Sequence, residues 1–175
     1  MTSTSYVNHK KYIKLAPKQY EVWAEWILEY KQYKYPDDLE LVSGLIRDNL
    51  TTDFCPPKYR AKNLGNPLFG HCYHSTQAMY YFFQDANLKV MSAPCEVADH
   101  HWWLQDGDTR DTIIDVTGDQ YELLSVNPPY EKGKESKWYG WKNRPHRKTQ
   151  NLMKLIQPSA NLYFKKYKEK PKKEY

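Results

Sequence analysis

No stretch of the 175 residues approaches the roughly 20 consecutive apolar side chains that a membrane-spanning helix needs. The opening segment, MTSTSYVNHKKYIKLAPK, also lacks the apolar core of a secretory signal. The two absences together predict a cytoplasmic protein with no membrane partner. Cysteine is scarce as well. Cys55, Cys72 and Cys95 cannot all pair with one another, and their spacing does not resemble the disulfide framework of a small secreted domain, so at least one thiol is free. No internal repeat appears, and no run is long enough or varied enough to suggest a second domain.

The chain does have aromatic and charged side chains in quantity. Sixteen Tyr and a charged fraction of 27% explain how a sequence that is 40% hydrophobic can be polar on average, and together they describe a globular domain with a polar surface. The net charge of +5 is unevenly placed. Residues 165–175, KKYKEKPKKEY, carry six Lys against two Glu, so most of the basicity belongs to a terminal tail that is expected to be solvated and poorly ordered. The remaining residues, 1–164, are read as one domain.

Hydrophobic period organises the first third of the chain. Tyr20, Val22, Trp23, Trp26, Ile27 and Tyr30 recur at threes and fours, which predicts an amphipathic helix from Lys18 to about Tyr33. Tyr35-Pro36-Asp37-Asp38 breaks it, and Leu39, Leu41, Val42, Leu45 and Ile46 restart the same period with an acidic first turn. Residues 51–70 hold three Pro and two Gly without a period and read as a long irregular connection. A helix is predicted from Cys72 to about Gln84, with Cys72, Thr76, Met79 and Phe83 along one face and Cys72 in its first turn. Three extended segments follow at Leu88–Ala98, His100–Gln105 and Thr112–Val116, the last two joined across Asp106-Gly107-Asp108, and they predict a small antiparallel sheet. Gly118–Val126 reads as a short helix or turn, 127–144 as a loop, and Pro145–Ile156 as a final helix.

Chemistry enters at Cys72. The attacking species in thiol catalysis is the thiolate, and unpaired backbone N–H groups at a helix N-terminus favour it. Such a nucleophile needs a base and a third group that fixes the imidazole tautomer. His101 at the start of HWWLQ and Asp115 at the end of TIID supply both from neighbouring strands. His100 competes with His101 because each has a Trp two residues on, but adjacent strand residues face opposite sides, so only one can meet Cys72, and His101 is the choice. The Cys72 backbone N–H is the first candidate donor for an oxyanion, and Asn66, six residues before the nucleophile, is the second. Tyr73, His100, Trp102, Trp103 and Gln120 are the candidate substrate-binding residues. His71, Cys72, His74, Cys95 and His100 do not form regularly spaced ligand pairs, so no metal and no other cofactor is expected. His74 is expected to point away from the Cys72 face toward the surface.

The strings GHCYHSTQAMYYFF, HHWWLQDG and IIDVTGDQY resemble those of transglutaminase-like proteins. In that family a Gly-x-Cys opens a helix, a His-x-Trp begins a later strand and an Asp closes the next one. The intervals here are 29 residues from Cys72 to His101 and 14 from His101 to Asp115. The chain is also similar, over 66–156, to the small YunG-like proteins and to phage-encoded relatives, through Asp115-Val116-Thr117-Gly118-Asp119-Gln120-Tyr121. Val116 departs from the Pro usual in transglutaminases and leaves the Asp in place.

The resemblance implies an α+β fold of the papain and transglutaminase type, with the nucleophile helix packed on a small antiparallel sheet; the helical flank of residues 1–50 is read from hydrophobic period and lies outside the resemblance. It implies thiol-mediated acyl chemistry, hydrolase or transferase, on a peptide, protein or small amide or ester. The alternative is a non-catalytic binding or inhibitor module of the same fold, phage-encoded and acting against host defence in the host cytoplasm. That module would use the cleft and the loop 130–148, where Lys132, Lys134, Lys137, Lys142, Arg144, Arg147 and Lys148 alternate with Tyr130, Trp138, Tyr139 and Trp141. Basic and aromatic residues so mixed suit nucleic acid, but a solvated rim pinned by its rings is the favoured reading.

Overall fold

The structure, a computed structural model, describes residues 33–83, 86–109, 112–136 and 145–167. The helix expected at 18–33 and the stretch Lys137–Arg144 of the basic loop lie outside the described residues, as do the last residues of the tail.

Within the described residues the chain is a mixed α+β arrangement of five helices and a four-stranded antiparallel sheet. Helix α1 spans Leu39–Asp48 and buries Leu39, Val42 and Ile46, as its period predicts. Asp38 stands just before it, and its carboxylate accepts a hydrogen bond from the Lys34 backbone N–H at 2.7 Å. The segment expected to be an irregular connection is more ordered than its Pro and Gly content suggests. It makes 3₁₀ turns at Thr52–Phe54 and Pro57–Tyr59 and a short helix, α2, at Arg60–Gly65. The turn that follows brings the chain through Gly70, whose φ of 81° lies in the left-handed region.

Helix α3, Cys72–Phe82, is the centre of the molecule, with every residue from His74 to Phe82 buried. A helix buried all round carries no one-sided apolar stripe, which is why the expected surface position of His74 is wrong. Helix α3 packs on the sheet, on α1 and on α5. The sheet order is β3-β2-β1-β4, with β1 at Leu88–Pro94, β2 at His100–Asp106, β3 at Ile113–Ile114 and β4 at Lys134–Glu135. Ala93 stands opposite His101 across the β1–β2 ladder, and Leu104 opposite Ile114 across β2–β3. Between β3 and β4 lie helix α4, Gln120–Leu124, and a 3₁₀ turn at Tyr130–Lys132.

Helix α5 runs from Arg147 to Tyr167, so the first three residues of the tail expected to be disordered are helical. It closes the core with Leu152, Met153 and Ile156, all fully buried against α1 and α3. Among the described residues no helix is long and apolar enough to cross a membrane.

Candidate active site

Cys72 is the first residue of α3, with His71 in the capping position, and its backbone N–H is one of those at a helix start that have no carbonyl four residues back. Its side chain is partly exposed, and Sγ lies 3.8 Å from the His100 carbonyl oxygen. Strand β2 passes directly over this helix start, held there by the Thr76 hydroxyl, which donates to the Trp102 carbonyl at 3.0 Å.

The alternation of β2 decides which histidine enters the site. His100 is exposed, whereas His101 and Trp103 are buried on the opposite face. The structure pairs His101, not His100, with Asp115: Nε2 lies 2.6 Å from Oδ2, and both side chains are almost wholly removed from solvent. Nε2 being engaged by Asp115, Nδ1 is the ring nitrogen left, and the Cys72 sulfur, which lines the same cleft, lies near enough to the imidazole to act on its charge. The trio read from three separate strings of sequence is thus gathered at one place.

Asp115 is held by more than His101. Tyr130 donates its hydroxyl to Oδ2 at 2.7 Å, and the Thr117 backbone N–H and hydroxyl approach Oδ1 at 3.0 and 3.3 Å. The imidazole is fixed by rings. Trp103 stacks on it at 5.8 Å with planes 22° apart, and Tyr121 meets it edge-on at 4.9 Å. Burial works against a charged imidazole here. The buried Asp115 carboxylate and the hydrogen bonds to Asp115 and Cys72 outweigh that effect and raise His101 to about 10. Burial likewise opposes ionisation of Asp115, but the His101 charge and the Tyr130 and Thr117 hydrogen bonds prevail and hold its carboxyl below the usual range. The stable form of the pair is an imidazolium beside a carboxylate.

Two expected roles are corrected by position. Asn66 is buried, and its Nδ2 donates to the Gln120 carbonyl at 3.0 Å. Its amide ties α2 to α4 and does not line the cleft beside Cys72. A count of six residues before the nucleophile specifies distance along the chain, not side-chain direction. Trp103 is 1% exposed and stacks on the His101 ring, so it supports that ring and is closed to a ligand. Tyr73, His100, Trp102 and Gln120 do line the cleft, a cavity of about 310 Å³. A second cavity shares Cys95 and Tyr121 with it and continues along Pro128, Pro129 and Tyr130. Sequence reading placed Tyr130 in a rim and named Thr117 and Tyr121 only as members of a matching string, without a role, because no regular spacing links a side chain to a carboxylate through a folded turn.

His74 is a buried structural residue. Its Nδ1 lies 2.9 Å from the Thr149 hydroxyl, which in turn donates to the Gln77 side-chain oxygen at 2.7 Å, so Nδ1 carries the proton. His71 is fully buried with neither ring nitrogen hydrogen-bonded. Burial pushes His71 down to about 4, and burial with His146 and Lys148 nearby pushes His74 down to about 3. Among the described residues, no three His, Cys, Asp or Glu side chains converge as metal ligands. Comparison of the chain with family models, with curated proteins and with solved structures finds no match, so the site is read from its own geometry.

Proposed function

We propose that this chain is a cysteine-dependent acyl-transfer enzyme, acting on an amide or ester through Cys72, His101 and Asp115 in a papain- or transglutaminase-like arrangement. The observation that carries this reading is the buried 2.6 Å pair of His101 and Asp115, whose imidazole lines one cleft with a cysteine on the first turn of a helix.

The Cys72 sulfur attacks the substrate carbonyl carbon, forming the C–S bond while the carbonyl π pair moves to oxygen. The Cys72 backbone N–H donates to that oxyanion. Collapse of the intermediate breaks the C–N or C–O bond, and His101 delivers its Nδ1 proton to the departing nitrogen or oxygen. A thioester on Cys72 is left. Water or an amine then attacks it, with His101 taking the incoming proton, and the thiolate departs. Asp115 keeps the imidazole charge and orientation through both halves, and no cofactor is called on.

Alkylation tests the reading. At about pH 6, where an ordinary thiol is almost entirely protonated, iodoacetamide should label Cys72 roughly tenfold or more faster than Cys95, and His101→Ala should abolish that advantage. Slow and equal labelling of the two would exclude the enzyme and leave the non-catalytic binding module.

A further inference from the structure

The cleft beside Cys72 has walls of unusual uniformity. Tyr59, Tyr73, Trp102 and Tyr121 supply four aromatic rings, and Pro56 adds a fifth apolar face. Two of the hydroxyls are engaged as acceptors: the Tyr59 hydroxyl accepts from the Asp99 backbone N–H at 3.0 Å, and the Tyr73 hydroxyl accepts from the Gln77 amide at 3.5 Å. Apolar ring surface is the larger part of what the walls offer a ligand.

Charge at the mouth is cancelled. Lys58 is the basic and Asp99 the acidic residue that line the cleft apart from its histidines and cysteines, and they form an ion pair with each other at the rim. Lys58 also lies over the Tyr59 ring at 4.9 Å. A ligand bearing an ammonium or a carboxylate would have to lose water without gaining an opposite charge, an unfavourable exchange. A volume of about 310 Å³ is at the small end for ligand sites, suited to one flat side chain together with the group that reacts.

We infer that the Cys72 cleft selects acyl donors that present a neutral aromatic group beside the reacting carbonyl, and that the Lys58–Asp99 pair is what rejects charged ones. The inference rests on the acyl chemistry proposed above for what that group is attached to, while recognition itself needs no chemistry. The aromatic group stacks among Tyr59, Tyr73 and Trp102, and ring-on-ring contact adds to the area it buries. Its carbonyl then projects toward Cys72. The second cavity, beyond Tyr121, differs in character because Glu96, Glu131 and Lys132 line it, so the two lobes do not compete for one kind of group.

The test is made on Cys72→Ala, which binds without reacting. N-acetylphenylalanine amide, N-acetyllysine amide and N-acetylglutamic acid amide are titrated by NMR. The aromatic amide should bind roughly tenfold more tightly than either charged one, a difference well within what one stacked group provides. Adding Lys58→Ala, an exposed substitution that spares the core, should leave Asp99 unpaired and raise affinity for the lysine amide alone; adding Asp99→Ala should do the same for the glutamic acid amide. Equal binding of the three amides, or a lysine amide that binds best before Lys58 is changed, would overturn the inference, as would rim variants that leave the order of affinities untouched. Absence of fast iodoacetamide labelling in the unsubstituted protein would instead remove the acyl chemistry and leave the measured selectivity standing, so the two failures are distinguishable.

Discussion

A single carboxylate has the most demanding position in the molecule. Asp115 is buried with a positive partner, and its two oxygens accept from His101, Tyr130 and Thr117. Buried charge is tolerated only when it is paired and its lone pairs are occupied, and removing one donor leaves part of it unsatisfied. Tyr130→Phe deletes one hydrogen bond to a charged group and little volume, so it should lower unfolding stability by about 1.5–3 kcal/mol. It should also slow alkylation of Cys72, because His101 is then less firmly oriented. Urea denaturation and iodoacetamide rates on the same variant check both, and unchanged values would mean that Tyr130 merely rests against Asp115. At this scale the sequence was informative about chemistry and silent about support. Cys72, His101 and Asp115 were readable because their residue types and flanking glycine and tryptophans are distinctive. The place of the Tyr121 ring against His101 was not, since the string that contains Tyr121 carries no mark of where its ring will go.

Elements bring these side chains together, and the approach to α3 is tightly packed. Gly70 has a φ of 81°, and a Cβ built on it would lie 2.5 Å from the buried Cys55 sulfur and 3.1 Å from the Tyr59 side chain. Left-handed backbone costs a residue with a Cβ about 1–2 kcal/mol, and overpacking adds about 1–3 kcal/mol. Gly70→Ala should therefore destabilise by roughly 2–5 kcal/mol and displace the start of the nucleophile helix, seen as a lower melting temperature together with slower Cys72 labelling. A variant of unaltered melting temperature would contradict this. Elements with a clear period were legible: α1 from Leu39, Val42 and Ile46, and α5 from Leu152, Met153 and Ile156. Helix α2 was not, because Pro56, Pro57 and Pro67 flank only six residues. Strand β4 is two exposed residues, Lys134 and Glu135, recognisable as a strand only by its pairing with Met91 and Ser92. His74 was misplaced for the opposite reason, since α3 has no solvent face to which a polar residue could be assigned.

At the scale of the whole molecule, three histidines shape how stability depends on pH. His71 and His74 have folded values near 4 and 3, below the ordinary 6.5, so the unfolded chain binds the extra protons. Their contribution is complete above about pH 6.5 and is lost as pH falls toward 3. His101 has the opposite sign. Its folded value is near 10, so the stability it provides is complete below about 6.5 and is lost as pH rises toward 10. Stability should therefore peak close to neutrality. His71→Leu should flatten the acid limb and His101→Gln the alkaline one, as denaturant midpoints across pH will show; identical curves for all three proteins would refute the assignment. Strand β2, finally, writes histidine-then-tryptophan twice in four residues, His100 with Trp102 and His101 with Trp103, once on each face. A one-residue slip of a strand exchanges its faces. For the opening of β2 a slip in one direction puts His100 and Trp102 where His101 and Trp103 stand, an imidazole and an indole again, whereas a slip in the other direction puts Trp102 in the place of His101. The opening of β2 thus offers an imidazole to either face of the sheet.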